Sequence, residues 1–159
     1  MFAYTLIFVY INSQHNAMTT EKLLYRLNSA TSACDWTFNT PAETSKGDKL
    51  SLQGKSTSNC AELYGMLKDY LFTNEIPFKV GTCQRMNNEF LGEQRRKAVT
   101  IYIPNHMDVK EVAEKVYNLT IEYKGWYDIK TPTSYEHYAG CVFIGNDQRN
   151  GKYVPAKYR

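Results

Sequence analysis

Seven basic side chains fall within one stretch of this chain, and their types suit the capture of a negatively charged group. Lys49 and Lys55 flank an alternating segment, Lys79 sits in Phe78-Lys79-Val80, and Arg85, Arg95, Arg96 and Lys97 follow in a polar run. Two chemistries are open to such a set. Fixed ammonium and guanidinium groups can hold a phosphate through charge-assisted hydrogen bonds. Alternatively, a lysine stripped of water loses its proton near neutral pH and serves as a general base. The 13 tyrosines of the chain supply ring faces beside these cations, a pairing that suits single-stranded RNA. The plain alternative is that the charges solvate one face and the tyrosines are half-buried.

Other chemistries find little support. His15, His106 and His137 lie far apart with no metal-ligand spacing, and Cys34, Cys60, Cys83 and Cys141 form no C-x-x-C pair. The cysteines read as buried thiols in a reducing, cytoplasmic setting, where the sequon Asn118-Leu119-Thr120 is idle. No metal and no cofactor are expected. Neither G-x-x-x-x-G-K-[ST] nor G-x-G-x-x-G occurs, which sets aside those nucleotide-binding enzymes. No G-x-x-G clamp or aromatic RNA-recognition signature is present either. His137 stands out among the histidines because it opens an apolar run between Tyr135 and Tyr138.

The elements that must position the cations follow from periodicity. With 159 residues, 43% of them hydrophobic and 22% charged, the chain reads as one globular domain, and its net charge of +3 permits a nucleic-acid partner without demanding one. The run Phe2 to Ile11 is too short to span a bilayer and is β-branched and aromatic, so it reads as a strand and no membrane partner is expected. Met18 is an alternative start. Thr20 caps a short helix with Leu23, Leu24 and Leu27 inward, and Asn28 to Asp48 is a surface connection in which Trp36-Thr37-Phe38 covers an edge of the core.

Lys49 to Gly54 has the period of a half-buried strand, with Leu50 and Leu52 inward and Lys49, Ser51 and Gln53 on the other face. Ser58 or Asn59 caps the following helix, which carries Leu63, Leu67, Tyr70 and Leu71 and stops before Pro77. Phe78 to Cys83 is a strand, Gln84 to Lys97 a basic loop, and Ala98 to Ile103 a central strand. Asp108 and Glu111 cap a second helix that runs to about Tyr123 and ends at Gly125. His137 to Ile144 is a last core strand, and the tail Lys157-Tyr158-Arg159 is loose. The expected fold is α+β: a single small mixed sheet with a β-α-β-β-α-β core, two long helices on one face, and an extra N-terminal strand and short helix. Residues 1–159 form one domain, divided into an N-terminal part (1–48), the core (49–144) and a C-terminal turn with a basic tail (145–159).

From Lys49 to Phe143 this pattern resembles the phosphothreonine lyase-like domain at the N-terminus of class III and class IV lanthionine synthetases. The pieces that match are Lys49-Leu50-Ser51-Leu52 before a Ser/Thr turn, Ile76-Pro77-Phe78-Lys79, a basic linker, Val99-Thr100-Ile101-Tyr102, and His137-Tyr138 before Gly140. The resemblance implies β-elimination of phosphate, with Lys79 as base and Lys49, Arg95 or Arg96, and Tyr102 holding the phosphate. Ser51 departs from it, standing where the family has its acid histidine, and Pro104 and Ala139 replace basic residues. A serine hydroxyl cannot act as that acid near neutral pH, which leaves His137 as the substitute. The expectation is therefore a non-catalytic protein that binds a phosphate-bearing partner, RNA first and a phosphorylated peptide second. Lys49, Lys55, Arg85, Arg95, Arg96, Lys97 and Tyr102 would contact it. A surviving lyase using Lys79 and His137 is the alternative, and a catalytically dead interaction or inhibitor domain is a third.

Overall fold

A computed structural model describes residues 18–31, 35–155 and 158–159. The expected strand at Phe2 to Ile11, together with Cys34 and Lys157, lies outside the described residues. The elements are α1 (Thr20–Asn28), β1 (Trp36–Phe38), β2 (Asp48–Gln53), α2 (Thr57–Thr73), β3 (Phe78–Val80) and α3 (Cys83–Met86). After a 3₁₀ segment at Glu89–Arg96 come β4 (Lys97–Tyr102), α4 (Val109–Leu119), β5 (Tyr135–Ala139) and β6 (Val142–Asn146). The small hairpin β7 (Gln148–Arg149) and β8 (Lys152–Tyr153) completes the chain.

Six strands form one sheet in the order β1-β3-β4-β2-β6-β5. The α+β class and the two long helices agree with the sequence, but every pairing is antiparallel where a mixed sheet was expected. Apolar alternation fixes one face. Leu50 and Leu52 of β2, Phe78 and Val80 of β3, Val99 and Ile101 of β4 and Val142 of β6 are all buried in one core. That core includes Leu63, Leu67 and Leu71 of α2, spaced four apart, and Val112, Ala113 and Val116 of α4, where Val116 follows the other two by four and three residues, so each set lies on a single helix face. Leu23 and Leu27 of α1 are buried in the same cluster.

Element ends depart from expectation for local reasons. Helix α2 is capped by Ser56, which accepts from the Asn59 N–H at 3.3 Å, while the Asn59 side chain reaches back to accept from the Lys55 N–H at 2.9 Å. Helix α4 starts at its expected cap, Asp108, but stops at Leu119 rather than Tyr123. There the Thr120 hydroxyl donates back to the Val116 carbonyl at 2.7 Å, and Tyr123 dives into the core to donate to the Gln53 carbonyl at 2.6 Å.

The run from His137 to Ile144 is two strands, not one, because Gly140 adopts φ +50° and turns the chain into a hairpin. The basic loop is instead a helical turn and a 3₁₀ segment, and Lys97 already belongs to β4. Among the described residues no helix is long and apolar enough to cross a membrane.

A candidate anion-binding sheet face

The helices cover one face of the sheet, and the intervening residues of the same strands line up on the other. Across the strands one row reads Thr37, Lys79, Thr100, Ser51, Phe143 and His137. The next reads Tyr102, Lys49, Gly145 and Tyr135. Gly145 matters here, since any Cβ would meet the Tyr135 ring at 2.7 Å. Its absence lets that ring lie flat on the sheet beside Lys49.

Lys97 reaches this face through a backbone irregularity. Leu52 is paired with Val99 but Gln53 is paired with Lys97, so Ala98 is the extra residue of a β-bulge. Under unbroken alternation Ala98 would share the face of Thr100 and Lys97 would point among the helices. The bulge exchanges them. Ala98 stays in the apolar core, and the Lys97 ammonium lies 4.7 Å above the centre of the Tyr135 ring. Lys49 approaches the same ring at 5.8 Å, so two cations bracket one aromatic face.

Further cations arrive from outside the sheet. Arg85 of α3 is buried, donates through Nη1 to the Lys97 carbonyl at 2.8 Å and places Nε 3.1 Å from Asp35. Arg159, expected to be loose, is half-buried instead: its Nη1 donates to the Asn146 carbonyl at 3.2 Å and its own carbonyl accepts from the Ser134 hydroxyl. Two carboxylates answer part of this charge. Asp35 also pairs with Lys79 at 3.2 Å, and Asp147 pairs with Lys49 at 3.4 Å. Among the described residues Lys97 has no carboxylate at ion-pair distance.

Protonation follows from these surroundings. Burial, and after it the charge of Lys49, pushes Lys97 down to about 8, with Arg159 and Arg85 adding to the effect and Glu93 opposing it. Burial also lowers Lys49, against the pull of Asp147. Lys79 differs. Burial pulls it down, yet Tyr102 and Asp35 together outweigh that and hold it above the ordinary lysine value. It is therefore a permanent cation at neutral pH and a poor proton acceptor.

Several buried groups on this face have no hydrogen-bond partner: the Ser51 and Tyr135 hydroxyls, Arg159 Nε and Gln53 Oε1. The three donors among them, Ser51, Tyr135 and Arg159, lie beside a partly unneutralised cation cluster and are what a multi-oxygen anion would satisfy, whereas Gln53 Oε1 is an acceptor that an anion would not answer.

The sequence-predicted residues divide into three sets. Lys49, Lys79, Lys97, Tyr102 and Arg85 converge on this face. Lys55 and Arg96 sit beyond its Gln53 end, where Arg96 Nη1 donates to the Lys55 carbonyl at 3.3 Å, and Arg95 lies on the 3₁₀ segment beside them. His137 stands apart. It shares a row with Lys79 but is four strands away, roughly 19 Å at about 4.8 Å per strand. Its ring lies 4.9 Å from Phe143, and Nε2 is 2.8 Å from the Gly140 carbonyl. The two cannot act as acid and base on one bond.

Sequence reasoning missed Asp35, Asp147, Tyr135 and Arg159. Only Tyr135 carried a signal, standing two residues before His137 in strand alternation. Among the described residues no group of His, Cys, Asp and Glu could hold a metal ion. Neither a protein-family model nor a curated protein sequence matches the chain.

Proposed function

We propose that this chain is a non-catalytic binding protein that takes a phosphate-bearing partner, single-stranded RNA first, on the sheet face opposite its helices. The observation that carries this reading is the convergence of Lys49, Lys79, Arg85, Lys97 and Arg159 on one face, where among the described residues Asp35 and Asp147 form the ion pairs and Glu93 acts on Lys97 from farther away. Aromatic rings interleave with the cations: Tyr102 lies 5.8 Å from the Lys79 ammonium, and Tyr135 lies under Lys49 and Lys97. That combination of positive charge and ring faces suits a nucleic-acid strand.

The separation of His137 from Lys79 and the protonated state of Lys79 weigh against β-elimination by the residues that the lyase resemblance implies. One feature favours a lyase of another kind: burial lowers Lys97 to about 8 and moves Lys49 in the same direction, so this face holds lysines that give up a proton more readily than an exposed one.

One experiment separates the readings. Binding of a short single-stranded RNA is followed by fluorescence anisotropy as salt rises, and a phosphothreonine peptide is incubated in parallel and assayed for released phosphate. The binding reading expects affinity to fall roughly fiftyfold between about 50 and 200 mM salt if about four phosphates are contacted, with no phosphate release. Replacing Lys49 and Lys97 together by alanine should abolish the retention. Salt-independent or absent RNA retention overturns the RNA reading, and phosphate release that is lost in Lys97→Ala establishes the lyase.

A further inference from the structure

Beside the cationic face, at the bulged end of β2, a groove of about 260 Å³ is lined by Gln53, Lys55, Arg96, Ile129 and Lys130 and by the carboxylates Glu93 and Asp128. Its size falls just short of the usual span for small-molecule pockets and suits one planar ring rather than a whole nucleotide. We infer that this groove receives a single unstacked nucleobase of the bound strand, whose phosphate lies on the adjoining Lys97 and Lys49. The inference rests on the RNA reading above and adds to it a second subsite of different chemistry.

Three features support it. Gln53 is 1% exposed, and its amide is fixed in orientation because Nε2 donates to the Lys130 carbonyl at 3.2 Å. Oε1 is left as a buried acceptor with no donor. Every nucleobase carries at least one N–H on its pairing edge, so a lone acceptor at this position demands a base without choosing among the four.

Second, the Arg96 guanidinium is held by its bond to the Lys55 carbonyl, which fixes a flat cationic surface at the groove, the kind on which bases stack. Third, Gln53 is the register partner of Lys97, so the two subsites adjoin across a single strand pair. Glu93 leaves Gln53 Oε1 unanswered, because a carboxylate has no proton to donate; its two oxygens share the Thr133 N–H at 3.1 and 3.2 Å.

The test compares two RNA strands of equal length and charge, one intact and one with its bases removed, against the native chain and Gln53→Leu. The native chain should bind the intact strand about tenfold more tightly than the abasic strand, a margin set by one stacked and hydrogen-bonded base. Gln53→Leu should lose most of that margin while retaining its affinity for the abasic strand. Intact homopolymers of the four bases should bind within a few-fold of one another.

Equal affinity of the native chain for intact and abasic strands overturns this inference and leaves the RNA reading standing. Failure to bind either strand in a salt-sensitive manner overturns both. The intact-to-abasic ratio is measured on the native protein, so it does not depend on whether the variant folds.

Discussion

The two faces of the sheet are built from alternate residues of the same strands, yet they obey opposite physics. On the helix side Leu50, Leu52, Val99 and Ile101 are fully or almost fully buried against apolar neighbours. On the other side Ser51, Gln53, Lys97 and Arg85 are buried nearly as deeply, but among charges and unmet hydrogen-bonding groups. The first arrangement supplies the hydrophobic stabilisation that holds the domain together. The second costs stability, since desolvated charge and unpartnered hydroxyls are unfavourable until something answers them. A face that lowers stability and gathers cations is what the proposed anion-binding role requires.

The sharpest way to break that contrast is to substitute neighbours on one strand. Leu52→Ala opens a cavity in a core with little room to collapse and should cost about 2–5 kcal/mol. Ser51→Ala, one residue earlier, removes a buried hydroxyl that has no partner and should be neutral or stabilising by up to about 1 kcal/mol. Urea denaturation of the two variants checks the pair. Comparable losses in both would show that the second face is as structural as the first.

The next effect is on Lys97 and its dependence on pH. The unfolded chain keeps this proton up to the ordinary lysine value of 10.5, whereas the folded chain releases it near 8. Between those values the unfolded state binds more protons, so the stability of the native protein rises with pH across that window. Below it the penalty for a buried charge is fully present. Lys97→Met should therefore stabilise the protein near pH 7, on the order of 1–3 kcal/mol, and the gain should shrink as pH approaches 10. The same titration should weaken binding of an anion to the native chain as pH passes about 8, while Lys97→Met binds weakly throughout. A flat stability difference from pH 7 to 10 would remove the charge from the account.

How far the sequence disclosed all this differs between the faces as well. The apolar face was legible because its signal is local: the alternation from Lys49 to Gln53, the stripe of α2 and the cap at Asp108 each sit within a dozen residues. The polar face depends on register and strand order, which no local pattern encodes. Arg96-Lys97-Ala98 reads as the end of a polar loop, and only pairing with Gln53 reveals the bulge that turns Lys97 onto the face. Asp35 and Asp147 are lone carboxylates in polar connections, with nothing nearby in sequence to mark them as partners of Lys79 and Lys49. The expected partnership of Lys79 with His137 failed for the same reason, since the order of strands places β4, β2 and β6 between them. Gly140 was hidden inside an apolar run, where a turn glycine resembles a small core residue.

The smallest expected effect concerns the rim, and it tests whether the buried cations or the half-buried Arg95 beside them governs binding. Arg95 sits on the 3₁₀ segment with neither an ion pair nor a hydrogen bond among those described, so Arg95→Ala should leave stability within about 0.5 kcal/mol. If Arg95 neutralises one phosphate of a single strand, its loss should lower the slope of log affinity against log salt by about 0.7 and weaken binding evenly across sequences. Substituting Lys97 should act differently. A desolvated ammonium touching one phosphate keeps more of its attraction at high salt than an exposed one does, so Lys97→Met should lower affinity by a similar factor at low and at high salt. Anisotropy titrations of both variants over the same salt range separate the two behaviours. If Arg95→Ala and Lys97→Met shift the salt dependence alike, the strand is held by diffuse surface charge and the recessed cluster has no special part in recognition.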